Sequence, residues 1–127
     1  IHWSNHEVSE LDRAFNRHPE KNWNHPNWFD FLRRVIEQEP VVVHGAHDFG
    51  LKSITNAMYS LGLIDTQWGE GPTDGLGAMV GAWWCAHEAE RQSCSLLDLE
   101  LMQQIQAYNE VDCKAMMDII RYLRREH

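Results

Sequence analysis

The sequence lacks any long apolar stretch and has no surplus of basic residues. No run approaches the roughly 18 apolar residues that a membrane helix needs, and nothing at the amino end resembles a signal peptide. Asp and Glu number 19 against 11 Lys and Arg, so the formal net charge is −8. This charge disfavours a free-standing nucleic-acid binder of the basic-patch kind. The same charge is compatible with an enzyme that binds phosphate through bound cations, because such cations are held by acidic side chains.

Cysteine is scarce, and its spacing matches no disulfide framework. The three cysteines are Cys85, Cys94 and Cys113. An odd number at these spacings indicates a reducing compartment, so we expect a soluble, intracellular protein in the cytoplasm. His44 and His47 lie three apart and Cys85 and His87 two apart, which would allow a Cys-His₃ zinc site. Such pairs arise by chance in a His-rich chain, so a zinc-stabilised structural module is the least favoured alternative.

Hydrophobic periodicity predicts a mostly helical chain with short strands, and the length of 127 residues favours a single domain over residues 1–127. Ser4 or Asn5 is expected to cap the first helix, which places Glu7 in its first turn. Helices are predicted at residues 29–38, ended by Pro40, at about 49–62, at about 76–90, and at 98–125 as one helix or two. The three β-branched residues Val41 to Val43 predict a strand, and the glycine-rich residues 65–77 predict a mobile loop.

The last helix carries a carboxylate on its apolar side. Tyr108 and Asp112 are four residues apart, so they lie one above the other. They belong to a stripe that is otherwise apolar: Ile105, Tyr108, Asp112, Ala115 and Ile119. Burying an unpaired carboxylate costs several kcal/mol. Asp112 therefore either lies at the edge of the stripe facing water, pairs locally, or meets a cation.

Two further carboxylates are expected at the ends of elements. Glu7 follows a candidate strand end, and Asp30 lies at the start of a helix. Sites made only of carboxylates suit hard cations such as Mg²⁺ or Mn²⁺. The plainer interpretation of Glu7 is a partner of the helix dipole, and spacing alone does not show that the carboxylates converge.

Three stretches resemble motifs of the DEDD exonuclease superfamily, over nearly the whole chain. Residues 2–7, His-Trp-Ser-Asn-His-Glu, resemble its second motif, with Glu7 where Asp is usual. Residues 108–113, Tyr-Asn-Glu-Val-Asp-Cys, resemble its third motif, Tyr-x-x-x-Asp, in the version typical of predicted nucleases found beside or within RecB-type helicase and nuclease proteins. Residues 49–54, Phe-Gly-Leu-Lys-Ser-Ile, look like the helix start between these motifs.

The resemblance implies an α/β, RNase H-like fold and a metal-dependent 3′–5′ exonuclease that hydrolyses phosphodiester bonds. Such sites hold two divalent cations, Mg²⁺ or Mn²⁺, about 3.5–4 Å apart. Asp112 and Glu7 carry over as metal ligands, and Tyr108 as the residue that orients the attacking water. The further candidates are Asp30, Asn109 and Lys52. The implied substrate is nucleic acid, with DNA favoured over RNA, and the implied partners are fused or associated helicase and nuclease domains.

The first motif of the superfamily, Asp-x-Glu on an opening strand, has no counterpart here. Two of four expected ligands are therefore missing. We expect a helix-rich fragment, the carboxyl-terminal part of an RNase H-like nuclease domain that lacks its first strands and is inactive by itself. The alternative is a non-catalytic RNase H-like domain that binds nucleic acid or a protein partner.

Overall fold

A computed structural model describes residues 1–39, 41–69 and 74–127. The chain divides into two compact units, residues 1–58 and residues 59–127. Each unit is described by itself below, and the prediction of a single domain stays a prediction. Pro40, predicted to end a helix, lies outside the described residues, as do residues 70–73 of the predicted loop.

Four α-helices and three short helical turns make up the described structure. The α-helices are α1 (His6–Arg17), α2 (Leu51–Ser60), α3 (Gly75–Gln92) and α4 (Glu100–Glu126). The short turns are 3₁₀ helices at Pro19–Lys21 and Leu96–Asp98 and a π-helical turn at Leu32–Ile36. None of the described helices is both long enough and apolar enough to cross a membrane.

The predicted α/β, RNase H-like fold is wrong for this structure. Helix accounts for 65% of it, and the described residues contain no sheet. Their β structure is limited to an isolated parallel bridge between His2 and Asp30, in which the His2 N–H donates to the Phe29 carbonyl and the Phe31 N–H donates to the His2 carbonyl, each at 3.0 Å. One bridge is too short to form a strand pair.

The predicted strand at residues 41–43 is also wrong. The Val41 N–H donates back to the Ile36 carbonyl at 3.1 Å, so it closes the preceding helical turn. The Val42 side chain is 80% exposed. A β-branched run becomes a strand only where a neighbouring strand supplies hydrogen bonds and a packing face, and no described segment does so here.

The predicted helices agree well with the observed ones. The first helix, expected after a cap at Ser4 or Asn5, and the helices expected at about 49–62 and 76–90 are confirmed as α1, α2 and α3. The segment predicted at residues 98–125 as one helix or two is one long helix, α4 (Glu100–Glu126), which follows the 3₁₀ turn at Leu96–Asp98. The helix predicted at residues 29–38 is reduced mainly to the π-helical turn.

The core of the first unit is formed by a few large side chains from distant positions. Trp3, Phe31, Ile36 and Ile54 are each at most 6% exposed. The rings of Trp3 and Phe31 lie 5.8 Å apart, and the Trp3 indole N–H donates to the Phe49 carbonyl at 3.0 Å. The buried Trp3 therefore ties the amino end of the chain to the start of α2, and its polar atom is satisfied.

In the second unit, α3 packs on α4 through a face of small residues. Ala78, Cys85 and Ala89 are buried there, and a Cβ added at Gly81 would lie 3.1 Å from Ile105 Cδ1. Small side chains at this helical spacing let the two helices approach closely. The opposite face of α3 is exposed although it is apolar, with its large side chains at Leu76, Met79, Val80, Trp83 and Trp84.

Candidate functional site

Asp112 lies in the middle of α4, half-buried, one helical turn after the half-buried Tyr108. The apolar members of the same stripe, Ile105, Ala115 and Ile119, are at most 3% exposed. Tyr108 and Asp112 thus place two polar side chains within the apolar packing side of α4. Asn109, a further candidate, is turned away from this stripe and exposed.

The Asp112 carboxylate is held by a tryptophan from a distant part of the sequence. The indole N–H of Trp68 donates to Asp112 Oδ1 at 2.9 Å. A hydrogen bond to an ionised acceptor is stronger than one between neutral groups. Of the three alternatives for Asp112, the structure therefore supplies a pairing, and the partner is tertiary rather than local.

The segment that carries Trp68 is anchored to α4 at a second point. Along residues 64–68, which we call the strap, burial alternates: Ile64 and Thr66 are buried, and Asp65 and Gln67 are exposed. The Thr66 hydroxyl donates to Asp118 Oδ2, six positions after Asp112 on α4. The strap is therefore pinned to two carboxylates of the same helix.

Glu7 lies in the first turn of α1 and is exposed. The Ser4 hydroxyl donates to Glu7 Oε2 at 3.2 Å, and Ser4 Oγ accepts from the His6 N–H at 3.3 Å. Asn5, at the N-cap position, makes no side-chain cap bond. Glu7 is thus part of a local hydrogen-bonded start of α1, where its charge also suits the helix dipole.

Asp30 also serves the start of its own helical turn. Its Oδ1 accepts from the Arg33 N–H at 3.0 Å, and its Oδ2 lies 3.9 Å from Arg33 Nε. This is the arrangement of a capping side chain. Lys52, the remaining candidate, lies in the first turn of α2 and is half-buried.

The six predicted site residues divide between the two units. Glu7, Asp30 and Lys52 belong to residues 1–58, and the other three belong to residues 59–127. Across the part of the chain that the structure describes, no three His, Cys, Asp or Glu side chains are grouped so that they could hold a metal ion. The donor type fits Mg²⁺ or Mn²⁺, because carboxylates prefer hard cations, but the number of grouped donors does not.

The zinc alternative finds no support among these same described residues. His44, His47 and His87 are exposed, whereas Cys85 on α3 is fully buried. Cys113 is also exposed. The only Asp-x-Glu in the sequence, Asp98 to Glu100, follows a 3₁₀ turn, and Asp98 Oδ2 accepts from the Ser95 N–H at 3.0 Å as part of a capping box.

A clearly lowered pKa falls on a carboxylate outside the six predicted residues. Hydrogen bonds from Arg91, and next from Gln92, lower the pKa of Glu88 on α3 from 4.5 to about 2. An ion pair within one helix explains this shift. The pKa of Glu88 therefore marks no additional site.

Sequence reasoning missed Trp68 and Thr66, because both fall in a stretch predicted as a mobile loop. The polar tips of these two side chains, two residues apart, could have indicated an extended segment with one side facing the body of its unit. Comparison with protein-family models, with curated proteins and with solved structures finds no match to this chain. The resemblance to the exonuclease superfamily therefore stays a prediction.

Proposed function

We propose that this chain belongs to a metal-dependent nuclease, a 3′–5′ exonuclease that hydrolyses phosphodiester bonds in nucleic acid. Asp112 and Glu7 are assigned as ligands of Mg²⁺ or Mn²⁺, and Tyr108 as the residue that orients the attacking water. Asp30, Asn109 and Lys52 are secondary candidates. The substrate is DNA in preference to RNA, and the proposed setting is intracellular, with helicase or nuclease domains as partners.

One observation carries the proposal: an interior helix position holds a carboxylate whose orientation is fixed from outside the helix. Asp112 lies in the interior of α4, and its Oδ1 is 2.9 Å from the Trp68 indole nitrogen. Tyr108 stands one turn away on the same side. A carboxylate and a phenol in this relation are the chemical groups that the Tyr-x-x-x-Asp resemblance requires.

The residues of this chain do not complete the expected site. Since the described residues form no three-ligand group, the proposed activity requires further carboxylates beyond those assigned here. A divalent cation bound with the help of these carboxylates would supply the positive charge that a chain of net charge −8 needs to bind a phosphate. Within that chemistry, Tyr108 contributes a hydroxyl that can both donate and accept a hydrogen bond.

The test is hydrolysis of a 5′-labelled DNA oligonucleotide by the full-length protein with Mn²⁺. We expect a ladder of shortened products that disappears with chelator and is blocked by a 3′-terminal phosphorothioate. Asp112→Asn should abolish the activity, and Tyr108→Phe should reduce it less. The matched control is Glu110→Gln, which neutralises an exposed carboxylate two positions away on the same helix and should retain activity.

Undiminished activity in Asp112→Asn would refute the assignment of Asp112 as a metal ligand of a nuclease. A parallel RNA oligonucleotide decides the preference between the two nucleic acids. If the Glu110→Gln control loses as much activity as Asp112→Asn, the effect is one of general charge on α4 rather than of Asp112.

The second candidate is a non-catalytic domain that binds nucleic acid or a protein partner. It is favoured by the local use of two of the predicted site residues, because Glu7 and Asp30 both accept hydrogen bonds from donors within three residues. This candidate predicts no Mn²⁺-dependent hydrolysis by the full-length protein, and binding to an oligonucleotide or a partner that Asp112→Asn leaves unchanged.

A further inference from the structure

We propose that the exposed apolar face of α3 is the contact surface for a second copy of this chain, with the two α3 helices packed antiparallel across a two-fold axis. This surface, which we call the α3 face, consists of five large side chains: Leu76, Met79, Val80, Trp83 and Trp84. The inference goes beyond the proposed function and does not depend on it, because none of the six predicted site residues lies on α3.

The first three turns of α3 are apolar on every side. Ala78, Cys85 and Ala89 are buried on the side that packs on α4, whereas the side chains of the α3 face are each between 49% and 67% exposed. A helix that is apolar all round is normally buried all round. Because α4 covers one side only, the α3 face is suited to contact with a further protein surface.

The exposed area of the α3 face matches what a small two-fold dimer needs. Its five side chains expose roughly 600–700 Å² of mostly apolar surface, at or above the upper end of the largest patch on a typical monomer. A two-fold interface uses the same patch on both copies, so it would bury up to roughly 1,300 Å² in total. This area lies near the lower limit of specific interfaces, so we expect a dissociation constant in the micromolar range.

The charge pattern favours a second copy over a partner that recognises the acidic chain through basic residues. Residues 75–87 contain no Asp, Glu, Lys or Arg. A basic partner would therefore find no carboxylate on the α3 face, whereas a second copy presents the same uncharged surface. Two copies can meet there without burying an unpaired charge.

Antiparallel packing pairs a large side chain with a smaller one. With the two-fold axis at the middle of the α3 face, between positions 81 and 82, Trp83 of one copy lies opposite Val80 of the other. The Trp83 ring contacts the His87 ring edge-on, with centroids 4.6 Å apart, so Trp83 is held in place before the copies meet. Parallel packing would place the two Trp83 rings against each other and set the helix dipoles side by side in the same direction.

The first measurement is sedimentation equilibrium of the unmodified full-length protein across the micromolar range, in low and in high salt. We expect a monomer–dimer equilibrium that shifts toward dimer in high salt, because salt screens the repulsion between two chains of net charge −8. A protein that stays monomeric in both salt conditions overturns the proposal. An association that salt weakens also overturns it, since that behaviour indicates contact between opposite charges.

The second measurement places a carboxylate at the centre of the α3 face. Trp83→Glu should weaken the dimer by at least about 10-fold, because each copy would bury an unpaired charge. Circular dichroism should show unchanged helix content, since Trp83 is exposed. The matched control is Trp23→Glu, which changes the net charge equally at an exposed tryptophan of residues 1–58 and should dimerise like the unmodified protein. Equal dissociation constants for the two variants would refute the role of the α3 face.

The antiparallel arrangement is tested by mixing two variants. Val80→Lys should also dimerise poorly by itself. In an antiparallel pair of Trp83→Glu with Val80→Lys, the new carboxylate lies opposite the new ammonium group, and the other Trp83–Val80 contact is kept. The mixture should therefore associate at least about 10-fold more tightly than either variant alone. A parallel pair gives no such match, so a mixture that associates no more tightly than its components overturns the antiparallel arrangement.

Discussion

Thr66→Val should destabilise the protein by about 2 kcal/mol. Valine keeps the shape of threonine but cannot donate to Asp118 Oδ2, and a hydrogen bond to a charged group contributes about 1.5–3 kcal/mol. Thr66 is 4% exposed, so water does not readily replace the lost donor. Arg121, which lies 3.5 Å from Asp118 Oδ1, remains as a partner and keeps the loss below the upper end of this range.

The assay is urea unfolding followed by circular dichroism, with Thr55→Val as the matched control. Thr55 is fully buried, and its hydroxyl donates at 2.7 Å to the Leu51 carbonyl of its own helix. That bond lies within one turn of an existing helix, so its removal should lower the free energy of unfolding by less than about 1 kcal/mol. With a urea slope of about 1–2 kcal/mol per M, Thr66→Val should lower the midpoint by about 1–2 M. Equal midpoints for the two variants would refute the claim that the strap is anchored through Asp118.

Three further predictions concern α3. Asp74→Ala should destabilise the protein by about 1 kcal/mol, because Asp74 Oδ1 accepts from the Gly77 N–H at 2.7 Å as the N-cap; thermal unfolding measures this, with Asp74→Asn expected to retain stability. Gly81→Leu should cost about 1–3 kcal/mol, since a Cβ alone would lie 3.1 Å from a side chain of α4; an unchanged melting temperature would contradict the close packing. Arg91→Ala should raise the pKa of Glu88 from about 2 toward 4.5, so the stabilisation present above pH 4.5 and lost as pH falls toward 2 disappears; a carboxyl NMR titration with an unshifted midpoint would count against this.

Helix formation could be predicted from the sequence because its signals are local. The apolar residues of α1, α2 and α4 recur at three- and four-residue steps, and α2 ends before Gly62, which has φ +69°. The prediction of a strand at residues 41–43 was wrong because the requirements for a strand are not local. A strand depends on a partner elsewhere in the chain, and β-branched composition carries no information about whether that partner is present.

The candidate site could be predicted only in part. The Tyr108 and Asp112 spacing correctly placed both side chains on the packing side of α4. Trp68 could not be found in this way, because its contact with Asp112 spans 44 positions and because Trp68 lies within the glycine-rich residues 65–77. Loop composition indicates backbone freedom, whereas the position of the strap is set by two side-chain hydrogen bonds to α4.

The three predicted carboxylates differ in what explains them. Glu7 and Asp30 each accept a hydrogen bond from within three residues at the start of a helical segment, so helix initiation accounts for both. Helix formation gives no such account of Asp112, which lies 12 positions inside α4 and whose indole donor comes from outside the helix. The proposed function therefore depends mainly on Asp112. Asparagine at this position keeps a side-chain oxygen that can accept the Trp68 N–H, so Asp112→Asn removes the charge while it preserves the contact. Loss of hydrolysis in that variant, with unchanged unfolding, would assign the effect to the negative charge of Asp112 and not to the fold.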